Sequence, residues 1–425
     1  MDIGQILKST ANCPCGRNHT VDVKAVEIGS GLLNKVGEIL EKHGFPKKIL
    51  VVSDNNALRV SKGILDNLME CGFVFDARVF QNQRTADITE VEEIEALCKN
   101  VDGVLAVGTG SVDDICRYAA ARQNKRFAIF GTAPSMDGYA SDGSPITFGS
   151  FKLTCQAKQP EIIIADTKIL AEAPVELKSA GFGDMIAKCV GLVDWRVSNI
   201  LTGEYYCENI ANLTREAVKR ITALADKVTL NNEKAAGAIM ESLIFTGIAM
   251  KLAGTSRPAS GCEHIISHFW ESKKLEQGLI SDFHGKKVGV ATLMVAKEYH
   301  KMAQLESIKA HKENIDWKEI EQAYGENLAP EMLKLNTPTV TDEVDPAVFE
   351  EKWQEIRQII RDELPTYEEL MKLFKLTGAA TTIEEIAVSP ELCKLAYKYH
   401  PFMRRRISLM RLRWMFDYPT EYCPQ

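Results

Sequence analysis

Short apolar runs alternate with amphipathic stretches through the first 166 residues. The runs have the composition of buried parallel strands, and the stretches between them carry apolar residues at helical spacing. Strands are predicted at 21–28, 49–52, 73–80, 104–107, 127–130 and 162–165. Helices are predicted at 32–43, 57–71 and 88–98, and again from Asp113 onward. This alternation predicts an α/β fold, a doubly wound, Rossmann-like parallel sheet with helices on both faces.

The pattern changes at about residue 168. Beyond it almost no period-two stretch occurs, and successive helices are predicted, for example at 235–252, 264–277 and 286–300. Another helix is predicted to begin at Met185, where the glycines of GFGD (181–184) end. At 425 residues the chain is too long for one ordinary core. We therefore predict two domains, an α/β domain over residues 1–168 and an all-helical domain over residues 169–425.

Composition excludes several classes of protein. Hydrophobic residues make up 45% and charged residues 26% of the chain, as in soluble globular proteins. No apolar run approaches the roughly 18 residues that cross a bilayer, and a net charge of −7 argues against a nucleic-acid surface. The first residues, MDIGQILKST, lack the features of a secretory signal. We expect a cytoplasmic protein that does not insert in membranes, with reduced cysteines, and a homo-oligomer formed through apolar stripes of the helical domain.

Two clusters receive structural interpretations. Cys13, Cys15 and His19 resemble a fragment of a metal knuckle, but no second Cys/His pair follows at finger spacing. We interpret this segment as a structural turn. The basic cluster of Arg404, Arg405, Arg406, Arg411 and Arg413 alternates with apolar residues. We interpret it as a solvated helix face rather than a phosphate or lipid patch.

Two consecutive strand ends carry small and polar residues suited to a phosphate. Gly108 and Gly110 permit a tight turn after the strand at 104–107, and the next helix directs free N–H groups and its positive dipole at that turn. The dinucleotide pattern G-x-G-x-x-G fails at Asp113, so an ordinary β-α turn stays an alternative. The strand at 127–130 is followed by a loop rich in serine and aspartate. Because the carboxyl ends of consecutive strands in a parallel sheet border one crevice, these two strand ends predict a cofactor site there.

Asp54 directly follows the strand at 49–52. A carboxylate at this position of a nucleotide-binding sheet can accept hydrogen bonds from a ribose. It can equally cap the next helix. The sequence leaves both roles open.

Three places in the helical half offer strong metal ligands. They are Asp184, the pair His264 and His268 four residues apart on one helical face, and His284 beside Gly285. A carboxylate and two imidazoles with an open fourth position form a catalytic site for a divalent ion such as zinc. The alternatives are a helix cap for the acid and hydrogen-bonded core positions for the histidines.

Five motifs occur in one order over residues 20–300: VGTGSVDD, GTAPSMDGYAS, GFGDMIAK, SGCEHIISHFWE and HGKKVGVAT. In this the chain resembles the iron-containing alcohol dehydrogenase and dehydroquinate-synthase-like superfamily, and within it the glycerol-1-phosphate dehydrogenases. The resemblance implies an N-terminal dinucleotide-binding domain, a C-terminal helical domain, and a metal and substrate in the cleft between them.

The resemblance also implies roles for individual residues. Asp184, His264 and His284 would bind one divalent metal, zinc or else nickel. His268 would face substrate and nicotinamide, Asp137 would contact substrate, and Asp184 would also border it. The residues expected to bind NAD or NADP are Asp54, Gly110, Ser111, Val112, Asp113, Asp114, Thr132, Ala133, Pro134, Ser135 and Ser141.

The implied reaction is hydride transfer at C2 between dihydroxyacetone phosphate and sn-glycerol 1-phosphate. His268 is the expected proton relay, for which a pKa near neutrality is suited. Several superfamily members have a histidine where this chain has Lys188, which disfavours a four-ligand iron site. Glycerol dehydrogenase and a lyase of the dehydroquinate-synthase kind are the alternative functions. Candidate partners of the substrate phosphate are Lys188, Arg257, Lys286 and Lys287.

Overall fold

Eight strands form a six-stranded sheet and a separate hairpin. The computed structural model describes residues 3–149 and 151–420. The strands are β1 Ala25–Gly29, β2 Lys48–Asp54, β3 Val74–Phe80, β4 Gly103–Gly108, β5 Arg126–Gly131, β6 Gly143–Phe148, β7 Phe151–Gln156 and β8 Ile162–Asp166. The six-stranded sheet has the order β1-β8-β5-β4-β2-β3, and every pair in it is parallel. This confirms the predicted parallel α/β sheet.

Seventeen α-helices accompany these strands in the described residues. They are α1 Ile3–Thr10, α2 Val36–Lys42, α3 Asn55–Val60, α4 Ile64–Glu70, α5 Ile88–Cys98, α6 Gly110–Arg122, α7 Thr167–Glu172, α8 Val175–Thr202, α9 Glu208–Thr222, α10 Glu233–Ala253, α11 Cys262–Glu276, α12 His284–Met302, α13 Trp317–Leu335, α14 Pro346–Glu363, α15 Tyr367–Thr377, α16 Pro390–Tyr399 and α17 Leu409–Leu412. Short 3₁₀ turns lie between some of them, among them Asp137–Ala140 and His400–Met403.

The central strands bury side chains on both faces, as expected of a doubly wound sheet. Ile49 and Val51 of β2 pack in the cluster that contains α2 and α4, whereas Leu50 and Val52 pack in the cluster that contains α5 and α6. Because successive side chains of a strand point to opposite faces, one apolar run supplies both layers.

Three predicted helices differ clearly from the structure. The predicted helix at 57–71 is two helices, α3 and α4, because Gly63 between them has a φ of +98°. The helix after β4 begins at Gly110, three residues before the predicted start. Helix α8 begins at Val175 and continues through Gly181 and Gly183. The hairpin β6-β7 was not predicted.

The glycines of α8 permit close helix packing. A Cβ atom on Gly181 would lie 1.9 Å from the carbonyl oxygen of Pro134, in the loop after β5. On α12, a Cβ on Gly285 would lie 2.0 Å from the carbonyl oxygen of Ala180. Only glycine allows these approaches, which bring α8 against both the β5 loop and the start of α12.

After β8 the described chain is helical. The core on one face of the sheet extends into this half, since Met240 and Ile244 of α10 share a cluster with Ile129 and Ile163. Helix α10 is the one described helix long and apolar enough to span a bilayer, and most of it is buried inside the fold. The boundary at residue 168 between two domains stays a prediction.

The interpretation of the C-terminal arginines as a solvated helix face is wrong. The side chains of Arg411 and Arg413 are fully buried. Arg411 Nε lies 2.9 Å from Glu313 Oε1, and Arg413 is hydrogen-bonded to the carbonyl oxygens of Tyr397 and Lys398. Arg404 and Arg406 are half-buried in an irregular segment. The apolar residues between the arginines belong to the core, so most of the segment folds inward, and only Arg405 of the five arginines is exposed.

Candidate active site

One cleft lies between the carboxyl ends of β4 and β5 and the helical half. It encloses about 610 Å³, within the range of small-ligand sites. From the sheet half its lining includes Thr109, Gly110, Ser111, Asp114, Ser135, Asp137 and Ser141. From the helical half it includes His264, His268, Glu271, His284, Lys287, Arg404 and Arg406. Both predicted strand ends thus contribute to one crevice.

The amino terminus of α6 forms part of the cleft wall. Its N-cap residue, Thr109, makes no side-chain capping hydrogen bond. The first backbone N–H groups of the helix, at Gly110, Ser111 and Val112, therefore lack the usual cap, and the positive end of the helix dipole adds to them. This arrangement suits an anionic group such as a pyrophosphate.

Arg117 of α6 fixes the loop that carries Asp137 and Ser141. Its guanidinium is buried, lies 2.9 Å from Asp114 Oδ1, and donates to the carbonyl oxygens of Gly138 at 2.6 Å and Gly143 at 3.2 Å. This role was not predicted, since an arginine in an amphipathic helix is usually solvated. The two bonds to the carbonyl oxygens hold the loop against α6, and the ion pair with Asp114 fixes the guanidinium that makes them.

Asp184, His264 and His284 come together at the base of the cleft. One ligand atom from each lies within 4.8 Å of the others. His264 Nε2 is 3.5 Å from Asp184 Oδ1, and the rings of His264 and His284 have centroids 5.2 Å apart. Asp184 is fully buried in α8, and His264 and His284 lie in the first turns of α11 and α12. An oxygen and two imidazole nitrogens fit a first-row divalent ion with an open position.

Glu263 orients His264. Its Oε1 lies 2.5 Å from His264 Nδ1 and also accepts the backbone N–H of Gly261 at 2.9 Å. A carboxylate that receives the proton of one ring nitrogen leaves the other nitrogen free for a metal. Glu263 is fully buried. Its role was not predicted, because neighbouring residues of a helix ordinarily point apart.

Lys188 bridges two carboxylates of the site. Its Nζ donates to Asp184 Oδ1 and to Asp137 Oδ2, each at 2.6 Å, and its side chain is fully buried. Asp137 is linked to Asp184 a second time, because its backbone N–H donates to Asp184 Oδ2 at 3.0 Å. Lys188 was predicted to replace a superfamily histidine and was considered as a phosphate partner, whereas in the structure it joins the predicted substrate residue to the predicted metal ligand.

These contacts separate the pKa values of the two acids. Burial acts to raise the pKa of Asp184, but the positive charge of Lys188 and the hydrogen bond from His264 hold it well below its ordinary value. Burial and the neighbouring charge of Asp184 raise the pKa of Asp137, and Lys188 opposes them. Asp184 is therefore the carboxylate that stays ionised, as a metal ligand must.

His268 lies beside the predicted ligands but is not among them. Its ring stacks on His284 with centroids 5.8 Å apart, and its Nδ1 is 3.7 Å from Glu271 Oε2. Burial lowers the pKa of His268 to about 4, with Glu271 opposing the shift. The expected pKa near neutrality is thus not that of the structure, in which the ring is neutral at pH 7.

Cationic side chains converge on one part of the cleft. Lys152 of β7 lies 3.0 Å from Glu271 Oε1, and Lys287 of α12 lies 3.7 Å from the same oxygen. Arg406 donates to the carbonyl oxygen of Ser260 and to the Ser256 hydroxyl. Among the described residues, no carboxylate oxygen lies within 4 Å of the guanidinium groups of Arg404 and Arg406. Two arginines therefore remain available to an anion.

The predicted phosphate partners are dispersed. Lys287 lines the cleft, but burial lowers its pKa to about 8. Lys286 pairs with Glu176 and Asp282. Arg257 lies outside the cleft, where it pairs with Glu204. Arg404 and Arg406 were not proposed for this role, because an arginine run near a chain end carries no sign that it folds back.

Only some of the residues predicted to bind the cofactor line the cleft. Gly110, Ser111, Asp114, Ser135 and Ser141 line the cleft. The side chains of Val112, Asp113, Thr132, Ala133 and Pro134 do not line it, and all five residues are buried with under one-tenth exposure. The Asp54 carboxylate accepts from the backbone N–H of Ala57 at 2.8 Å, so it caps α3. Its contact with a ribose stays a prediction.

The chain is similar to named dehydrogenases over most of its length. The family model for iron-containing alcohol dehydrogenases matches residues 27–174. Glycerol-1-phosphate dehydrogenase [NAD(P)+] of Bacillus subtilis is 34% identical over 76% of this chain and 85% of its own. The enzyme of that name from Halalkalibacterium halodurans is 29% identical over 96% of both chains. The one from Thermococcus sibiricus is 30% identical over 64% of this chain and 77% of its own.

Solved structures show the same fold. A halo-thermophilic archaeal alcohol dehydrogenase from a Red Sea brine pool superposes with a TM-score of 0.63 at 15% identity, covering 94% of this chain and 97% of the other. The NADH-dependent butanol dehydrogenase A of Thermotoga maritima gives 0.59 at 16% identity, covering 94% of both. The fold and the named relatives thus define an NAD(P)-dependent alcohol oxidoreductase. Within that class, the chain belongs to the glycerol-1-phosphate dehydrogenase family.

Proposed function

We propose that this chain interconverts dihydroxyacetone phosphate and sn-glycerol 1-phosphate by hydride transfer at C2, with NAD or NADP and a divalent metal. The observation that carries the proposal is the convergence of Asp184, His264 and His284, within 4.8 Å of one another, on a cleft that the amino terminus of α6 also lines. A metal site and an anion site in one cleft are what a metal-dependent dinucleotide oxidoreductase requires.

Asp184, His264 and His284 would hold the metal, zinc or else nickel. When bound, the ion supplies a Lewis acid for the C2 oxygen of the substrate. Lys188 keeps Asp184 ionised and fixes Asp137 beside it through two hydrogen bonds of 2.6 Å. Asp137 thereby presents its carboxyl group at the edge of the cleft, where it would contact a substrate hydroxyl.

His268 would move the proton of the C2 hydroxyl. The ring is neutral at pH 7, so it accepts a proton in the oxidative direction, and Glu271 lies beside Nδ1 to stabilise the charge that develops. Nε2 is then the nitrogen left for the substrate. In the reductive direction the same nitrogen returns the proton.

The crevice between β4 and β5 would hold the dinucleotide. Uncapped N–H groups at Gly110 and Ser111 support binding of its pyrophosphate, and the hydroxyls of Ser135 and Ser141 line the same cleft. The dinucleotide supplies or accepts the hydride. Asp54 would lie at the ribose end, where its charge disfavours a 2′-phosphate. Asp114 lines the cleft and would contact the dinucleotide there. The other predicted contacts with the dinucleotide would be made by backbone atoms of Val112, Asp113, Thr132, Ala133 and Pro134.

Arg404 and Arg406 support a phosphorylated substrate. Guanidinium groups bind phosphate oxygens with two parallel hydrogen bonds, which gives both affinity and orientation. These two line the cleft without a carboxylate partner in the described chain. Unphosphorylated glycerol would leave them without a ligand.

Initial rates separate this function from its alternatives. The enzyme, dialysed against zinc or nickel, is assayed with NAD+ and NADP+ on glycerol, glycerol 1-phosphate and glycerol 3-phosphate. We expect reduced cofactor to form fastest with glycerol 1-phosphate. A faster rate with glycerol would identify a glycerol dehydrogenase, and no reduced cofactor with any of the three would favour a lyase.

The metal assignment has its own test. The variant His264→Ala should lose turnover and cleft metal while dinucleotide binding, measured by fluorescence titration, remains. A matched control is His300→Ala, because His300 lies in α12 and bonds to the carbonyl oxygen of Leu364 away from the cleft. Full activity of His264→Ala in chelator would refute the assignment. Self-association through the helical half stays a prediction that light scattering can check.

A further inference from the structure

A second group of potential metal ligands lies outside the cleft. It joins Cys13, Cys15 and His19 near the start of the chain to Cys207 at the start of α9, and its four donor atoms lie within 4.8 Å of one another. Cys15 Sγ is 3.2 Å from His19 Nε2, Cys13 Sγ is 3.4 Å from Cys207 Sγ, and Cys207 Sγ is 3.9 Å from His19 Nε2. None of the four lines the cleft.

We propose that these four side chains bind a structural zinc ion in a Cys₃His site. Three thiolates and one imidazole are a common tetrahedral ligand set for zinc. Cys13, His19 and Cys207 are buried and Cys15 is half-buried, so the set is closed and leaves no position for a substrate. The proposal assigns metal binding to residues 13–19, which the sequence analysis interpreted as a structural turn. The missing fourth ligand is supplied 194 residues away from Cys13.

The backbone of the first segment has the shape that two nearby cysteine ligands need. Gly16 has a φ of +77°, and its N–H donates to the carbonyl oxygen of Cys13 at 3.0 Å. The left-handed residue closes a tight turn that brings Cys13 and Cys15 to one side. A Cβ on Gly16 would meet no atom within 4 Å, so the glycine is required by the turn and not by packing.

Neighbouring groups orient the His19 ring and stabilise the cysteine sulfurs for metal binding. His19 Nδ1 lies 2.7 Å from the carbonyl oxygen of Leu252, which places the ring proton on Nδ1 and leaves Nε2 unprotonated toward the sulfurs. Asn209 donates to Cys13 Sγ at 3.3 Å, and the Tyr205 hydroxyl donates to Cys15 Sγ at 3.5 Å. Hydrogen bonds to sulfur stabilise thiolates, which are the form that binds zinc.

A disulfide explains the geometry less well. Joining Cys13 to Cys207 would require their sulfur atoms to approach from 3.4 Å to about 2.05 Å. It would also use only two of the four donors and leave Cys15 and His19, 3.2 Å apart, outside the bond. A zinc ion uses all four groups.

The site would fasten the first segment of the chain to the helical half. Arg17 of this segment already contacts the helical half at two places. Its guanidinium stacks 3.4 Å above the ring of Tyr205 and donates to the carbonyl oxygen of Ala253. A zinc ion at this place would tie residues 13–19 to α9 and to the end of α10. Its role is independent of the reaction in the cleft.

Metal analysis of the variant His264→Ala measures zinc at this site alone, because the variant is expected to lose the metal of the cleft. Purified with a reductant, that protein should retain one equivalent of zinc by plasma mass spectrometry, and the double variant His264→Ala/Cys207→Ser should retain none. Cys71→Ser is the control, because Cys71 is a half-buried thiol outside the group, and in the same background it should keep the zinc.

X-ray absorption at the zinc edge of His264→Ala needs no cysteine variant. We expect three sulfur ligands at about 2.3 Å and one nitrogen at about 2.0–2.1 Å. A zinc-free protein, a zinc ion with only nitrogen and oxygen ligands, or an intact mass lower by two hydrogen atoms that identifies a Cys13–Cys207 disulfide would overturn the proposal. None of these outcomes depends on which substrate the cleft accepts.

Discussion

Lys188 Nζ lies 2.6 Å from Asp184 Oδ1, one helical turn away on α8, with both side chains fully buried. Replacing Lys188 with methionine would leave Asp184 and Asp137 buried without a counter-charge. Removing one partner of a buried ion pair costs about 3–5 kcal/mol. We expect a loss of that size in the free energy of unfolding of metal-free Lys188→Met, measured by urea denaturation.

Lys286→Met is the matched control for this prediction. Lys286 pairs with Glu176 and Asp282 at 2.7 and 2.8 Å, but the Glu176 side chain is exposed to solvent. An exposed pair is worth roughly 0–1 kcal/mol. Equal losses in the two variants would show that Lys188 is not the charge that the site depends on.

Glu263→Gln tests the orientation of His264. The amide keeps the volume of the side chain but cannot hold the Nδ1 proton as a carboxylate does at 2.5 Å. Such outer partners of metal ligands change metal affinity by about 10–100-fold. We expect zinc affinity of the cleft to fall within that range in competition with a chromophoric chelator. Glu276→Gln, at the solvent end of the same helix beside Lys273, should leave the affinity unchanged.

Arg406→Met tests the substrate phosphate. A hydrogen bond to a charged group contributes about 1.5–3 kcal/mol, so KM for glycerol 1-phosphate should rise at least about tenfold with kcat little changed. Arg405→Met is the control, because that neighbour is exposed and pairs with Glu343. If both variants have the KM of the unaltered enzyme, the phosphate is bound elsewhere.

Gly181→Ala tests the close approach of α8 to the β5 loop. The added Cβ would lie 1.9 Å from the carbonyl oxygen of Pro134, and only backbone movement can relieve that overlap. We expect a loss of about 1–3 kcal/mol and reduced turnover, because the loop carries Ser135 and Asp137. Gly237→Ala, in α10, would meet only side-chain methyl groups, Thr167 Cγ2 at 3.0 Å and Ile28 Cγ2 at 3.9 Å, and should be near neutral. Turnover is measured alongside thermal unfolding in both variants.

His400→Asn tests stability in acid. Burial lowers the pKa of His400 to about 3, so the folded protein holds this ring neutral while the unfolded chain protonates it below about 6.5. Unfolding therefore takes up a proton between these values, and stability is lost as pH falls through them, by up to about 1.4 kcal/mol per pH unit. His400→Asn should show a shallower fall between pH 6.5 and 4. His311→Asn, at an exposed position, should follow the unaltered protein.

The apolar runs of the first half predicted β2, β4, β5 and β8 well, because these buried parallel strands are almost uniformly apolar. Helix starts were predicted less well. Asp113 looked like the start of α6 because acids favour first turns, yet its carboxyl is fully buried and the helix opens at Gly110. Glycines at 181 and 183 looked like a loop, because the reason for them lies in other segments, at Pro134 and Gly285.

Side chains that complete a site from afar could not be predicted. Cys207 stands alone in the sequence and joins Cys13 only through the tertiary fold. Lys188 was recognised as a departure from the family pattern, but its contact with Asp137 requires the loop after β5 to reach α8. The arginines at 404 and 406 enter the cleft because the chain beyond α16 returns to it.

Helix α8 carries both Asp184 and Lys188, so an acid and its counter-ion move as one piece. Lys188 therefore balances the negative charge of Asp184 without a metal ion. On the proposed function, we therefore expect folding and metal binding at the cleft to be separable, so that the metal-free protein stays folded with Asp184 and Lys188 paired.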